Sequence, residues 1–214
     1  MSRRSDSKYI DIDNLRFRLG SLVYSKERVS IYNMGSATEC PTCAKGMCDV
    51  SLKKCYAARA ENRFPKIKEA RERQGTNWKL SSTEHFIHAL KYLNTKHGID
   101  LFRFNEASDF ETQHDVDKMN EIASNVPQTV FGYTGNYTLD YSDSSFLVKM
   151  SHFNHICEGT TGRTVVIEKD EKPPRGFLIC PKTNKNSPIK KCDEGCGICW
   201  KSTKRPIDVA FVRH

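Results

Sequence analysis

Nine cysteines are the residues of this sequence whose type and spacing most clearly point to chemistry. Eight of them form two sets, here named the first cysteine group (Cys40, Cys43, Cys48 and Cys55) and the second cysteine group (Cys180, Cys192, Cys196 and Cys199). Thiolates at such spacings can curl around a metal centre, because the intervening Pro, Gly and Lys residues allow tight turns that present backbone N–H groups to sulfur. The sequence therefore predicts that all eight cysteines bind metal.

Zinc and iron–sulfur clusters are the two alternatives for these groups. Zinc sites typically combine two Cys-x2-Cys pairs, whereas each group here contains one such pair, Cys40/Cys43 or Cys196/Cys199, with irregularly spaced partners. A [4Fe–4S] cluster is larger than a single ion and tolerates wider, uneven loops. The spacing therefore favours one or two [4Fe–4S] clusters, with zinc as the alternative.

A disulfide framework is disfavoured by the cysteine count and by the N-terminal sequence. An odd number of cysteines cannot pair completely, and Cys157, which lies far from both groups, is expected to be an ordinary half-buried thiol. The first thirteen residues lack the apolar stretch of a secretory signal, and no apolar run is long enough to span a bilayer. We therefore expect a cytoplasmic protein, with reduced thiols and no membrane contact.

The chain carries a net charge of +8 and has a pI near 9.0, which favours contact with an acidic partner. Its lysines and arginines are spread along the sequence without one long basic block. This predicts weak, nonspecific contact with nucleic acid. The positive charge is also consistent with an alternative function, in which zinc only stabilises the loops of a basic nucleic-acid-binding module.

The order of the predicted elements indicates an α/β fold. Residues 27–35 read as a strand, and residues 55–75 as two helical pieces interrupted at Pro65 and stopped at Gly75. A capping box, Ser81-x-x-Glu84, begins an amphipathic helix that ends at Gly98, and residues 112–125 predict another helix. Further strands are predicted in the segments IDLFRFNEASD, TVFGYTGN and FLVKMSHFN.

Strands that alternate with helices typically form a parallel sheet with right-handed crossovers. The segments RTVVIEK and GFLICP are expected to pair as a hairpin, and IDVAFVRH predicts a last strand. We expect a single iron–sulfur domain over residues 1–214, a partial or distorted βα (TIM-like) barrel with a cysteine-rich C-terminal loop. The cluster loops are placed at about residues 36–62 and 180–200.

Polar residues gather where the strand FRF ends. Ligands collect beyond the carboxyl ends of parallel strands, so Glu106 and Asp109 are candidate catalytic acids or bases, and Asn105, Glu106 and Ser108 are candidate cofactor-binding residues. An alternative for Asp109 is that it caps the helix that begins near Thr112.

Several motifs together resemble the phage "gene product eighty-eight" family across nearly the whole chain after residue 30. They are Cys40-Pro41, Cys48, Cys55-Tyr56-Ala57, FRFNEASDF, FGYT, Cys180-Pro181, Cys196-x2-Cys199-Trp200 and VAFVRH. If the chain is phage-encoded, its compartment is the host cytoplasm. A further alternative is then a non-enzymatic cluster protein that modulates a host partner.

Cys-Tyr-Ala before an Ala/Arg-rich helix also resembles the cluster loop of radical S-adenosylmethionine enzymes, including the spore photoproduct lyase group. That resemblance implies a partial βα barrel, an open iron that binds S-adenosylmethionine, and Tyr56 among the cofactor-binding residues. This sequence departs from the usual C-x3-C-x2-C spacing, and Cys43 is an additional cysteine that could close the site. The predicted function is electron transfer or radical-type redox chemistry, with a substrate or redox partner that the sequence does not identify. If the protein is an enzyme, the resemblance implies an oxidoreductase or a lyase.

Overall fold

The computed structural model describes residues 9–20, 29–48, 54–189, 192, 196–201 and 205–213. They form a mixed α/β structure with one six-stranded and one three-stranded sheet. Among these residues, no helix is long and apolar enough to cross a membrane.

The larger sheet follows the chain order of its strands, β1-β2-β3-β4-β5-β6. Antiparallel pairing joins β1 to β2 and β2 to β3, whereas β3 to β6 are parallel, as the alternation of strands and helices predicted. The strands are β1 (Tyr9–Ile12), β2 (Leu15–Leu19), β3 (Val29–Tyr32), β4 (Leu101–Phe104), β5 (Thr129–Thr134) and β6 (Leu147–Met150).

The smaller sheet contains β7 (Thr164–Ile167), β8 (Leu178–Ile179) and β9 (Val209–Val212), in the order β7-β9-β8. The predicted hairpin of RTVVIEK with GFLICP is wrong, because β7 and β8 each pair in parallel with β9 and not with each other. The apolar β9 supplies backbone partners to both β7 and β8. Because β7 and β8 run in the same direction, a short turn between them cannot make them a hairpin. A parallel bridge from Met150 to Arg163 links the two sheets.

In the described part of the chain, five α-helices accompany the strands, with a short 3-10 helix (Ala37–Glu39) ahead of the first. They are α1 (Pro41–Ala44), α2 (Tyr56–Arg63), α3 (Pro65–Leu80), α4 (Thr83–His97) and α5 (Gln113–Asn125). The predicted break at Pro65 is confirmed, and Gly98 ends α4 in the left-handed conformation with φ of 62°. The predicted cap is displaced by one residue, since Ser82 and not Ser81 accepts the N–H of His85.

The predicted helix stop at Gly75 is wrong, because α3 continues to Leu80. A Cβ atom at position 75 would lie 2.8 Å from both the Gly35 Cα and the Met34 carbonyl oxygen. Glycine is therefore present to let α3 approach the loop that follows β3, and not to end the helix.

Both faces of the central sheet are covered. On one face, Tyr32, Phe102 and Phe104 belong to the main core, together with Phe86 of α4 and Met119 of α5. On the other face, β3 and β5 contribute a smaller cluster, Val29, Ile31 and Phe131, which packs against Cys192, Cys199 and Trp200. The second cysteine group therefore lies against the sheet face opposite the main helical core.

Substitution of Gly75 by alanine should destabilise the protein by about 2 kcal/mol, because the added methyl group overlaps backbone atoms that cannot move independently. The helix propensity of alanine alone predicts the opposite sign, a gain of up to about 1 kcal/mol. Urea unfolding measures the change, with Glu69→Ala at an exposed position of α3 as the control. A stabilised Gly75→Ala variant would contradict the close approach of α3.

Candidate functional site

The first cysteine group begins in the loop that leaves β3. Cys40 precedes α1, Pro41 is the first residue of that helix, and the backbone N–H groups of Thr42 and Cys43 are aimed at the Cys40 sulfur. Burial, with smaller contributions from the Asp109 carboxylate and the nearby Cys48 thiol, raises the pKa of Cys40 to about 12. The structure thus brings Cys40 and Cys48 close to each other and to the end of β4.

Cys55 lies immediately before α2 and packs against a cluster of small side chains that includes Ala37 and Ala107. Cys43 lies within α1, on the turn that presents its N–H to Cys40. Residues 49–53, within the predicted loop of residues 36–62, lie outside the described residues.

Asp109 holds the loop that contains the first cysteine group by hydrogen bonds. Its Oδ2 atom accepts hydrogen bonds from the Thr42 hydroxyl and the Gly135 N–H, both at 2.6 Å, and its Oδ1 accepts from the Thr134 hydroxyl at 2.6 Å and the Phe110 N–H at 2.8 Å. Burial raises the pKa of Asp109, against the lowering effect of these donors. Asp109 therefore ties the first cysteine group to the end of β5.

The capping alternative for Asp109 is wrong. The cap of α5 is Thr112, and the carboxylate of Asp115 accepts its N–H at 2.9 Å in a capping box. Asp109 lies too early in the chain to reach that helix end, and its two oxygens are occupied by the four donors already named.

Glu61 holds the beginning of the same loop. Its side chain is completely buried and accepts hydrogen bonds from the Ala37 N–H and the Ser36 hydroxyl, both at 2.8 Å. Arg71 of α3 forms an ion pair with it, also at 2.8 Å. Burial opposes ionisation, but the Ala37 N–H, Arg71 and Ser36 outweigh it and hold the pKa of Glu61 below its ordinary value.

The predicted cofactor-binding residues do meet at the end of β4. Tyr56 donates its hydroxyl to the Glu106 carbonyl at 2.6 Å, and the Asn105 side chain accepts the Met34 N–H at 3.2 Å. Asn105 and Ser108 have positive φ angles of 52° and 65°, an uncommon conformation for residues other than glycine. Whether they bind a cofactor stays a prediction.

Glu106 is an ion-pair partner in this structure. Its carboxylate contacts both Arg18 and Arg103. Burial works against the charge, but Arg103 and Arg18 together lower the pKa of Glu106 below its ordinary value. As arranged here, Glu106 is a fixed anion, which suits a general base less well than a carboxyl with a raised pKa.

The second cysteine group is gathered around Cys192. Burial raises its pKa to about 12, and the thiols of Cys180, Cys199 and Cys196 each raise it further by their proximity. The Cys180 sulfur accepts backbone N–H groups from Lys182 and Thr183. Of the predicted loop at residues 180–200, residues 190, 191 and 193–195 lie outside the described part.

The two groups share one local motif. Cys40-Pro41 and Cys180-Pro181 each begin a turn in which the N–H groups two and three residues later are aimed at the cysteine sulfur. The sequence-based expectation that prolines and turns present N–H groups to sulfur is confirmed at these two cysteines. Such donors stabilise thiolates that bind metal.

Two cations adjoin the second group, Arg103 partly exposed and Lys149 buried. Arg103 of β4 and Lys149 of β6 both favour the thiolate form of Cys199, although burial dominates and raises its pKa. Lys149 is 1% exposed and donates to the carbonyl oxygens of Thr161 and Ile207, at 2.7 Å each. Among the residues that the structure describes, no three His, Cys, Asp or Glu side chains form a site for a single metal ion.

A cavity of about 400 Å³ opens between the first cysteine group, the middle of α3 and the end of β4. Pro41 and Ala44 form the cysteine-loop wall, and Ser108 and Asp109 form the strand-end wall. Its charged rim includes Glu39, Lys45, Glu72, Lys79, Glu111 and Asp115. The cavity lies where parallel sheets place their ligands.

Comparison with known proteins identifies a family. A family model described as Gene product 88 matches residues 13–201. The chain belongs to the Gene product 88 family. No curated protein and no solved structure matches it. The family resemblance drawn from the motifs is thus confirmed, and the resemblance to radical S-adenosylmethionine enzymes stays a prediction.

Sequence reasoning missed several residues that build the site in this Gene product 88 chain. Arg103 and Lys149 could have been identified from the sequence, since each is a cation within an otherwise apolar strand. Glu61 gave no such signal, because it lies among other charged residues of a helix and its partners in the loop are 23 to 25 residues away.

Replacement of Glu61 by glutamine should destabilise the folded protein by about 3 kcal/mol at pH 7, because Arg71 would be left buried without its counter-charge. The folded-state pKa of Glu61 is lowered, so its stabilising effect is complete above the unfolded value of 4.5 and disappears as the pH falls through the folded value. The difference between wild type and variant should therefore shrink below about pH 4.5.

Urea unfolding between pH 3 and 7 measures this dependence. Glu72→Gln is the matched control, since Glu72 forms a half-exposed pair with Lys68 at 3.5 Å and should contribute less than about 1 kcal/mol. A Glu61→Gln difference that stays constant across the range would exclude the ion pair as its cause.

Proposed function

We propose that this protein binds [4Fe–4S] clusters through its two cysteine groups and uses them for electron transfer or radical-type redox chemistry. The observation that carries the proposal is the second cysteine group, in which Cys192 lies near the thiols of Cys180, Cys196 and Cys199. Within this group Cys196 also raises the pKa of Cys180, and Cys180 that of Cys199, each in addition to burial. Cys40 and Cys48 form the corresponding pair in the first group.

Charge balance supports the proposal. A metal centre held by four thiolates is anionic, and a buried anion needs nearby cations or hydrogen-bond donors. Arg103 and Lys149 supply the charges and Tyr133 a hydrogen bond to Cys199, while backbone N–H groups serve Cys40 and Cys180. The residues present therefore fit an anionic metal–thiolate centre.

The proposed scaffold is a partial βα barrel. The chain-order arrangement β3-β4-β5-β6 is the one that successive βα units produce, and the Met150–Arg163 bridge continues it towards β7. In that scaffold the cavity beside the first cysteine group is the substrate site, since it lies at the carboxyl ends of β3 and β4.

Metal analysis of anaerobically purified protein tests the proposal. We expect iron and acid-labile sulfide in equal amounts, with Cys55→Ala and Cys196→Ala each losing a different part of the iron. Cys157→Ala is the control, because this cysteine packs against the main core, away from the two groups, and its loss should leave the metal content unchanged.

Two results would contradict the proposal in different ways. Stoichiometric zinc without sulfide would show that the cysteine groups bind zinc and not iron–sulfur clusters, and it would favour the nucleic-acid-binding alternative. Loss of all metal from either folded variant would show one shared centre built from both groups, since two independent centres lose metal separately.

The resemblance of Cys55-Tyr56-Ala57 to radical S-adenosylmethionine enzymes leads to a second test. In the Cys196→Ala variant, which retains only the first centre, S-adenosylmethionine should change the electron paramagnetic resonance spectrum of the reduced cluster. Cys43→Ala should strengthen this response if Cys43 closes the site. No response from either protein at saturating cofactor would limit the function to electron transfer.

A further inference from the structure

An exposed surface on α2 combines aromatic rings with positive charge. Tyr56 and Phe64 are 58% and 42% exposed, which makes them two of the few large apolar side chains at the described surface. The cations around them are Lys54, Arg59, Arg63 and Lys66, all exposed. These six residues are named the α2 surface.

The cations of the α2 surface lack acidic partners among the described residues. Within the described residues, none of its four cations has a carboxylate within 4.0 Å, whereas Lys68 and Lys79 on the neighbouring α3 pair with Glu72 and Glu111. The sequence from residue 54 to residue 66 contains one acidic residue, Glu61, and it is buried against Arg71. As far as the described residues go, the surface therefore presents four positive charges to a ligand.

The two rings are held in place. The Tyr56 hydroxyl is anchored on the Glu106 carbonyl at 2.6 Å, while the residue as a whole stays more than half exposed. Phe64 lies at the break between α2 and α3, and the Arg63 guanidinium lies 5.3 Å from its ring centroid. Positions 56 and 64 are separated by roughly 12 Å along the helix, enough for each ring to contact a different base.

We propose that the α2 surface binds single-stranded nucleic acid. Fixed aromatic rings beside uncompensated cations are the combination that stacks unpaired bases and tracks a phosphate backbone. A duplex hides its base faces, so it would engage only the cations. An acidic polypeptide would likewise use the charges and leave the rings without a role. Tyr56 follows the proposed cluster ligand Cys55, whereas Phe64, Arg59, Arg63 and Lys66 belong to neither cysteine group and to none of the predicted cofactor-binding residues, so variants of these four test the inference apart from the proposed clusters.

Fluorescence anisotropy with a labelled twelve-nucleotide oligothymidylate tests the proposal at 50 mM salt. The double variant Arg59→Ala/Arg63→Ala should weaken binding about tenfold or more. Phe64→Leu and Tyr56→Leu should each weaken it about fivefold or more, since stacking of one base contributes roughly 1 to 3 kcal/mol. A duplex of equal length should bind more weakly than the single strand and should be insensitive to Phe64→Leu.

The charge-matched control is Lys91→Ala/Lys96→Ala, which removes two exposed cations from α4 and should change binding by less than about twofold. Circular dichroism confirms that each variant is folded, and the iron content of Phe64→Leu should equal that of wild type. Equal losses of oligonucleotide affinity in the two double variants would show that binding reflects general charge attraction, which would overturn the proposal. Competition by polyglutamate as effective as that by the oligonucleotide would overturn it in favour of an acidic protein partner.

Discussion

The buried carboxylate of Asp109 is the interaction on which the first cysteine group depends. Four donors from three segments converge on it, namely the turn after Cys40, the residue that follows Asp109 itself, and the end of β5. A hydroxyl or amide at this position could not accept four hydrogen bonds in the same geometry. The shape of the loop is thus transmitted from the sheet edge to Cys40 through one side chain, with Glu61 fixing the loop at its other end.

The opposite face of the sheet is organised by charge. Arg103 is shared between the carboxylate of Glu106 and the thiols of the second cysteine group, so it connects the two candidate centres electrostatically through β4. Lys149 is buried at the junction of the two sheets, where the carbonyl oxygens of Thr161 and Ile207 accept its hydrogen bonds at 2.7 Å. Burial lowers the pKa of Lys149, so an anion beside Cys199 would stabilise its charged form.

Local patterns were sufficient for the elements that depend on local interactions. The amphipathic helix before Gly98, the helix of residues 113–125 and the parallel strands each carry their own periodicity and end signals. The predicted helix stop at Gly75 and the predicted hairpin were wrong because both depend on contacts with distant parts of the chain. Gly75 is required by close packing against another segment, and β8 pairs with a strand some thirty residues later, and neither contact has a local sequence signal. The cysteine groups were recognised by type and spacing, but Asp109 could be assigned its role only from contacts across 25 and 67 residues.

The position of β9 between β7 and β8 has a consequence for the order of assembly. Neither β7 nor β8 has a backbone partner within the smaller sheet until residues 209–212 have left the ribosome, since β9 is synthesised after both. The segment with Cys192, Cys196 and Cys199 lies between β8 and β9, so its surroundings are completed only when β9 inserts.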